Sequence, residues 1–92
     1  MTAIARKFLV SGRVQRVGFR FFAQRAAARH QVRGYVRNLD DGRVEAVAQG
    51  PAEQVRDFGE DLAAGPTYSD VAAVEELVID VEKTYSSFRI ER

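Results

Sequence analysis

The residues with the most obvious chemistry fall in one run, Gly12-Arg13-Val14-Gln15-Arg16-Val17-Gly18-Phe19-Arg20. It lies between an apolar stretch, Phe8 to Val10, and an apolar pattern of helical spacing that begins near Phe19. A loop in that setting can curl over a helix N-terminus, where the first N–H groups lack intrahelical partners and carry partial positive charge. Several backbone donors can then converge on one phosphate, and Arg20, in the first helical turn, can add a planar guanidinium fork. The run is not the phosphate loop of nucleotide hydrolases, which needs four residues between its glycines and then Lys and Ser/Thr. Here five residues separate Gly12 from Gly18, and Phe19-Arg20 follows. Spacing and composition also allow a solvated arginine-rich turn whose glycines serve only the backbone, and they name no ligand.

A second run is Gly34-Tyr35-Val36-Arg37-Asn38, leading through Leu39-Asp40-Asp41-Gly42 to Arg43-Val44 and on to Gly50. Asn38 reads either as a strand-end residue that hydrogen-bonds the turn or as a carboxamide placed to hold a water. Other chemistry is largely excluded. The chain has no cysteine and one histidine, His30, which removes disulfides, iron–sulfur and zinc–thiolate sites, thiol nucleophiles and multi-histidine metal sites. His30 reads as a capping or surface residue near a helix end, and Ser11 has no evident base to make it a nucleophile.

The elements that carry these runs follow from periodicity. Ile4 to Val10 is a strand expected to stop at Ser11-Gly12. Phe19, Phe22, Ala23, Ala26 and Ala27 recur at helical spacing, with Arg25, Ala28 and Arg29 turned away, which predicts a helix from about Gly18 to His30. Phe19 and Phe22 are assigned to its packed face. Gly34 to Leu39 is a short strand, Asp40-Asp41-Gly42 a turn, and Val44 to Gln49 the returning arm. Gly50-Pro51 opens a second helix with Val55, Phe58 and Leu62 on one face, ended by Gly65-Pro66; Gly59 in its middle costs about 1 kcal/mol relative to alanine. Leu77, Ile79 and Val81 alternate with acidic residues, and Phe88 and Ile90 alternate after them. Glu75, Glu76, Asp80 and Glu82 read as an exposed strand face and edge protection.

The order β-α-β-β-α-β with a short extra C-terminal strand predicts an α+β, ferredoxin-like sandwich, an antiparallel sheet with two helices on one face. Its 92 residues are expected to form one domain, 1–92. A chain of this length buries only about 60–65% of the surface exposed when unfolded, which leaves room for one core.

Net charge is +1, but its distribution is uneven. Met1 to Leu39 carries nine Lys/Arg and no acid, whereas Asp40 onward carries five basic and thirteen acidic residues. An anionic ligand on the first part is the natural inference. Arg25, Arg29 and Arg33 read as solvated charges rather than a polyanion groove. The apolar N-terminal stretch is too short for a secretory signal, and no segment approaches the ~18–20 apolar residues that span a bilayer. Lack of cysteine points towards a reducing compartment, and the cytoplasm is expected.

Taken together, the two runs resemble the signature segments of the acylphosphatase family. The first family segment, Gly-x-Val-Gln-Gly-Val-x-Phe-Arg, is met by Gly12, Val14, Gln15, Val17, Phe19 and Arg20. The second is met by Gly34, Tyr35, Asn38, Gly42, Val44 and Gly50, and the resemblance covers nearly the whole chain. It implies hydrolysis of the carboxyl-phosphate bond of acyl phosphates to a carboxylate and inorganic phosphate, without metal or cofactor. It assigns the phosphate-binding arginine to Arg20 and the water-orienting asparagine to Asn38. The phosphate cradle falls to the backbone amides of Gln15, Arg16, Val17, Gly18, Phe19 and Arg20.

One position departs from the pattern, because Arg16 stands where the family has glycine. Were a positive φ required there, a side chain would cost about 1–2 kcal/mol. We expect instead that none is required and that Arg16 adds positive potential at the mouth. The expected partners are a small-molecule acyl phosphate and inorganic phosphate as product or competitor; no nucleic acid and no membrane are expected, and the chain is expected to be a monomer. The alternatives are an idle relative that only binds phosphate or acyl phosphate, and an RNA-binding module of the same fold class. Arg33-Gly34-Tyr35 opens like the RNA-recognition consensus, but Val36-Arg37-Asn38 does not continue it.

Overall fold

The apolar periodicities resolve into β1 (Ala3–Arg13), α1 (Phe19–His30), β2 (Arg33–Asn38), β3 (Val44–Pro51), α2 (Ala52–Ala64), β4 (Asp70–Ile79) and β5 (Phe88–Glu91). These belong to a computed structural model that describes residues 3–81 and 83–92, so Glu82 lies outside the described residues. The strands form one sheet in the order β4-β1-β3-β2-β5. β1 is antiparallel to β3 and β4, and β2 is antiparallel to β3.

β5, in contrast, lies parallel to β2, with Gly34 opposite Phe88 and Val36 opposite Ile90. The sheet is therefore mixed rather than wholly antiparallel, and connectivity explains why. Ile79 at the end of β4 is in register with Ala5, Ala5 with Gln49, and Gln49 with Arg33 at the start of β2. A chain that leaves β4 along this row enters the far edge beside the beginning of β2 and runs with it. Gln49 holds the crossing: its Nε2 donates to the Lys83 carbonyl at 2.7 Å, and its Oε1 accepts from the Tyr85 amide at 3.1 Å.

β1 also runs beyond its expected stop. Its pairing with β4 shifts register between Ser11 and Gly12 and then continues to Arg13 opposite Asp70. The extra residue is Ala72 of β4, a bulge that faces the glycine read as a terminator, and β1 continues past it to the edge of the loop that follows.

The two helices cover one face, α1 over β2 and β5 and α2 over β1, β3 and β4. α1 buries Phe19, Ala23, Ala26 and Ala27, and α2 buries Val55, Phe58 and Leu62; these are the stripes that the spacing predicts except at Phe22, which is only half-buried beside Phe19. They close over Phe8, Val10, Val36, Val44, Ala46 and Ala48. Phe58 meets Phe8 and Phe88 edge-on, with centroids 6.0 and 5.5 Å apart. Burying side chains of this size contributes about 1.5–3 kcal/mol each. Gly59 has a packing reason that helix propensity hides: a Cβ there would lie 2.7 Å from the Phe8 ring. The absent side chain lets α2 settle onto β1.

Besides exposed Asp41 in the β2–β3 turn, two less exposed carboxylates are held below their usual range by charged and polar partners. On the helix-free face, buried Glu45 accepts from Tyr35 Oη at 2.9 Å and Arg37 Nε at 2.8 Å, with Lys7 Nζ 3.7 Å away. Burial pushes the Glu45 carboxyl up, but the Arg37 and Tyr35 hydrogen bonds and the nearby cations outweigh it and hold the group below the usual range. Tyr35 is pushed up to about 12 by its burial and its bond to that carboxylate. Between the helices, Asp61 meets Arg29 Nη2 and His30 Nε2, each at 2.7 Å. There too burial acts upward, and the bonds from Arg29 and His30 leave the pKa lowered.

A lowered folded-state pKa means that the unfolded chain takes up protons first. The stability from both groups is therefore complete above the ordinary carboxylate range and is lost as pH falls through that range towards the depressed folded values. Urea unfolding at neutral pH and at about pH 3 should show this drop, and a Glu45→Gln/Asp61→Asn variant should show a smaller one. An undiminished drop in the double variant would mean that other groups carry the acid sensitivity.

Candidate active site

The loop between β1 and α1 is pinned by its apolar residues. Val14 is buried, and Val17 packs partly against the same core. Between and after them the backbone turns left-handed twice, at Arg16 with φ 63° and at Gly18 with φ 78°. Such alternation of handedness gathers successive N–H groups into a concavity suited to an anion. Among the described residues, no backbone carbonyl accepts a loop hydrogen bond from the amides of Gln15, Arg16, Val17 or Gly18.

The helix beyond is equally open to an anion. Gly18 is the N-cap and offers no side-chain cap, and the first turn of α1 holds no acidic residue. The first amides of α1 therefore face outward with the positive end of the helix dipole. Gly18 occupies a left-handed position that side chains rarely adopt, although a Cβ there would meet nothing within 4 Å; its role is conformational.

Loop, helix and hairpin meet at a cleft of about 210 Å³ lined by Val14, Arg16, Gly18, Phe19, Arg20, Phe21 and Asn38. A larger and more open depression of about 650 Å³ lies beside Gln24, Gln31, Arg33 and Gln54, but none of residues 12–20 lines it. Of these two, the smaller is the one lined by two arginines and by residues of the loop whose amides lack backbone partners. Arg20 sits in the first turn of α1, and its guanidinium makes one long hydrogen bond, from Nη1 to the Glu91 carbonyl at 3.4 Å. None of the ion pairs among the described residues involves Arg16 or Arg20.

Asn38 ends β2, opposite Val44. The turn after it is closed by main chain, with Leu39 N donating to the Arg43 carbonyl at 2.8 Å and Gly42 N to the Leu39 carbonyl at 3.2 Å. Asp41 adds bonds from Arg43 N at 3.1 Å and Arg43 Nε at 2.8 Å. The turn thus takes its bonds from elsewhere, and Asn38 lines the cleft.

Of the residues expected at the site, Arg16, Gly18, Phe19, Arg20 and Asn38 are brought together. The side chains of Gln15 and Val17 are not, although their amides remain in the loop. Val17 packs on the core, and Gln15 donates from Nε2 to the Leu39 and Arg43 carbonyls at 2.8 and 2.9 Å. Phe21, 63% exposed at the cleft, was not among the expected site residues. Its signal is helical phase, since it falls outside the stripe of Phe19, Ala23 and Ala26. The His30–Asp61 pair and Ser11 lie outside the cleft lining.

Arg16 corrects an expectation. The backbone does take a positive φ of 63° at this position, and this chain places an arginine side chain on it. Arg16→Gly is expected to raise unfolding free energy by about 1 kcal/mol through relief of that strain. It is also expected to weaken inhibition by inorganic phosphate, because it removes a cation from the cleft wall. Urea unfolding and phosphate inhibition measured on the same variant check both signs.

The chain has a ferredoxin-like fold whose first strand–helix junction leaves its loop amides without backbone partners, among the described residues, beside a cleft lined by Arg16, Arg20 and Asn38. A family model described as Acylphosphatase matches residues 6–90. The chain is 50% identical over 86 residues to the Acylphosphatase of Solibacter usitatus, covering 94% of this chain and 88% of that one. It is 43% identical over 90 residues to the Acylphosphatase of Syntrophotalea carbinolica, covering 98% of each. The crystal structure of acylphosphatase from Bacillus subtilis matches it with a TM-score of 0.93 at 34% identity, covering 99% of this chain and 100% of that one. The chain belongs to the acylphosphatase family.

Proposed function

We propose that this chain hydrolyses acyl phosphates to a carboxylate and inorganic phosphate, with the phosphoryl group seated in the amides of Gln15 to Arg20. The observation that carries this reading is the convergence of an uncapped α1 N-terminus, the unpaired loop amides, Arg20 and Asn38 on one cleft. Arg20 donates to the phosphoryl oxygens, whose charge must be held as the bond to the leaving group stretches. Asn38 orients a water in line with that bond. The water oxygen bonds to phosphorus, the acyl P–O bond breaks with its electron pair passing to the carboxylate, and the water's proton passes to a phosphoryl oxygen. A carboxylate leaves readily, so positioning and charge stabilisation meet the main demands and a dedicated protein base is unnecessary.

We assign no metal to the reaction, because amides and guanidinium supply the positive field that a cation would otherwise provide. All of these groups come from one chain, which supports catalysis by a monomer. Among the described residues, no helix is long and apolar enough to cross a membrane, and we place the reaction in the cytoplasm. The test is hydrolysis of benzoyl phosphate in excess EDTA, corrected for spontaneous breakdown. Sustained turnover is expected; phosphate-competed binding without turnover would make the protein a binding relative, and loss of turnover restored by a divalent cation would remove the metal-free mechanism.

A further inference from the structure

The loop and Asn38 must be held at a fixed separation, yet the strands that carry them are not neighbours. β3 lies between β1 and β2, so no ladder hydrogen bond runs from the end of β1 to the end of β2. The side chain that bridges the gap is Gln15. Its Nε2 donates to the Leu39 carbonyl at 2.8 Å and to the Arg43 carbonyl at 2.9 Å, across 24 and 28 residues of chain.

These acceptors flank the residue that matters. Leu39 follows Asn38, Arg43 precedes Val44, the cross-strand partner of Asn38, and Leu39 N itself bonds the Arg43 carbonyl. One carboxamide thereby grips both arms of the hairpin beside Asn38. With both Nε2 hydrogens directed at the turn, that nitrogen has none left for a substrate. Among the described residues, no other side-chain hydrogen bond joins residues 14–18 to residues 38–43.

We propose that Gln15 is a positioning residue for hydrolysis, setting the separation between the phosphate cradle and the carboxamide of Asn38, and that its side chain takes no part in phosphate binding. The proposal rests on the reading of Asn38 as the water-orienting group. In-line attack is sensitive to such a separation, because a misplacement of about 1 Å costs on the order of 10²-fold in rate. The tie needs two hydrogens on one nitrogen. Methionine keeps the length and supplies no donor, and an ionised glutamate sets negative charge against two carbonyl oxygens.

The experiment is a double-mutant cycle on benzoyl phosphate hydrolysis, with phosphate inhibition measured on every variant. Gln15→Met is expected to lower kcat by about 10- to 100-fold, with the phosphate inhibition constant within about threefold of native. In the Asn38→Ala background the same change should cost less than about twofold, since no carboxamide remains to be misplaced. Gln15→Glu should be impaired at neutral pH and partly recover relative to native as pH falls through the carboxylate range, where the protonated side chain regains one donor.

A loss of phosphate affinity that parallels kcat would place Gln15 in the cradle and overturn the proposal. So would a full multiplicative loss in the Asn38→Ala background, and in that case the Asn38 reading survives. Native turnover by Asn38→Ala alone would remove that reading and this proposal with it. Should Gln15→Met fail to fold, the same cycle built on Gln15→Glu supports or overturns the proposal on the same outcomes.

Discussion

Arg20→Ala is expected to lower kcat/KM for an acyl phosphate by about 10²–10⁴-fold, as removal of other preorganised electrostatic stabilisers does. The loss should appear in binding as well as in turnover, so inorganic phosphate should cease to compete over the range in which it inhibits the native protein. Both follow from where the guanidinium sits. It rises from the first turn of α1 beside amides that no side chain caps, lines the cleft with Arg16 and Asn38, and makes only one long contact to protein, the Glu91 carbonyl at 3.4 Å. Because that contact is weak, the thermal midpoint should hardly move, which separates a catalytic loss from an unfolded variant. Arg20→Lys keeps the charge but loses the planar fork, and it should recover only part of the rate. Near-native turnover by folded Arg20→Ala would remove the guanidinium from the reaction.

Most of the fold is legible because burial here is periodic. The stripes of α1 and α2 and the arms of the β2–β3 hairpin fall where the apolar spacing places them. What escapes is information that alternation does not carry. A glycine such as Gly12 can end a strand or face a bulge in the neighbouring strand, and only the pairing of Arg13 with Asp70, which leaves Ala72 of β4 without a partner, tells which. Leu77 and Ile79 do share a face, but Leu77 stands opposite Lys7 while core residue Phe8 stands opposite Glu76. The apolar side of late β4 is thus the side without helices. Glu45 and Gln49 look like solvent positions of an alternating strand, yet both are buried, because β3 is central and the chain crossing towards β5 bonds Gln49.

The site divides in the same way. Arg20, Asn38 and the glycine frame are local patterns and can be read in order along the chain. Backbone handedness at Arg16 cannot, since an arginine carries no mark of a positive φ. Nor can the partners of Gln15, which lie 24 and 28 residues away and are main-chain carbonyls that any residue would supply.

Asn38→Ala should separate turnover from binding. The carboxamide lies at the end of β2, across the cleft from the uncapped helix, and the turn that follows closes on main chain and Asp41 without it. Its removal therefore leaves the amides of Gln15 to Arg20 and the Arg20 guanidinium in place to hold a phosphoryl group. On the proposed role of Asn38, a water that is no longer oriented must find the in-line direction by chance, and the entropy otherwise removed in advance returns to the barrier. That contribution from positioning supports a fall in kcat on the order of 10²-fold or more. The phosphate inhibition constant should stay close to native, because the product anion uses the cradle and not the attacking water. Parallel loss of turnover and phosphate affinity would instead mark Asn38 as a residue that shapes the cradle. Unchanged turnover would mean that water reaches phosphorus without it, leaving the amides and Arg20 as the whole of the catalytic apparatus.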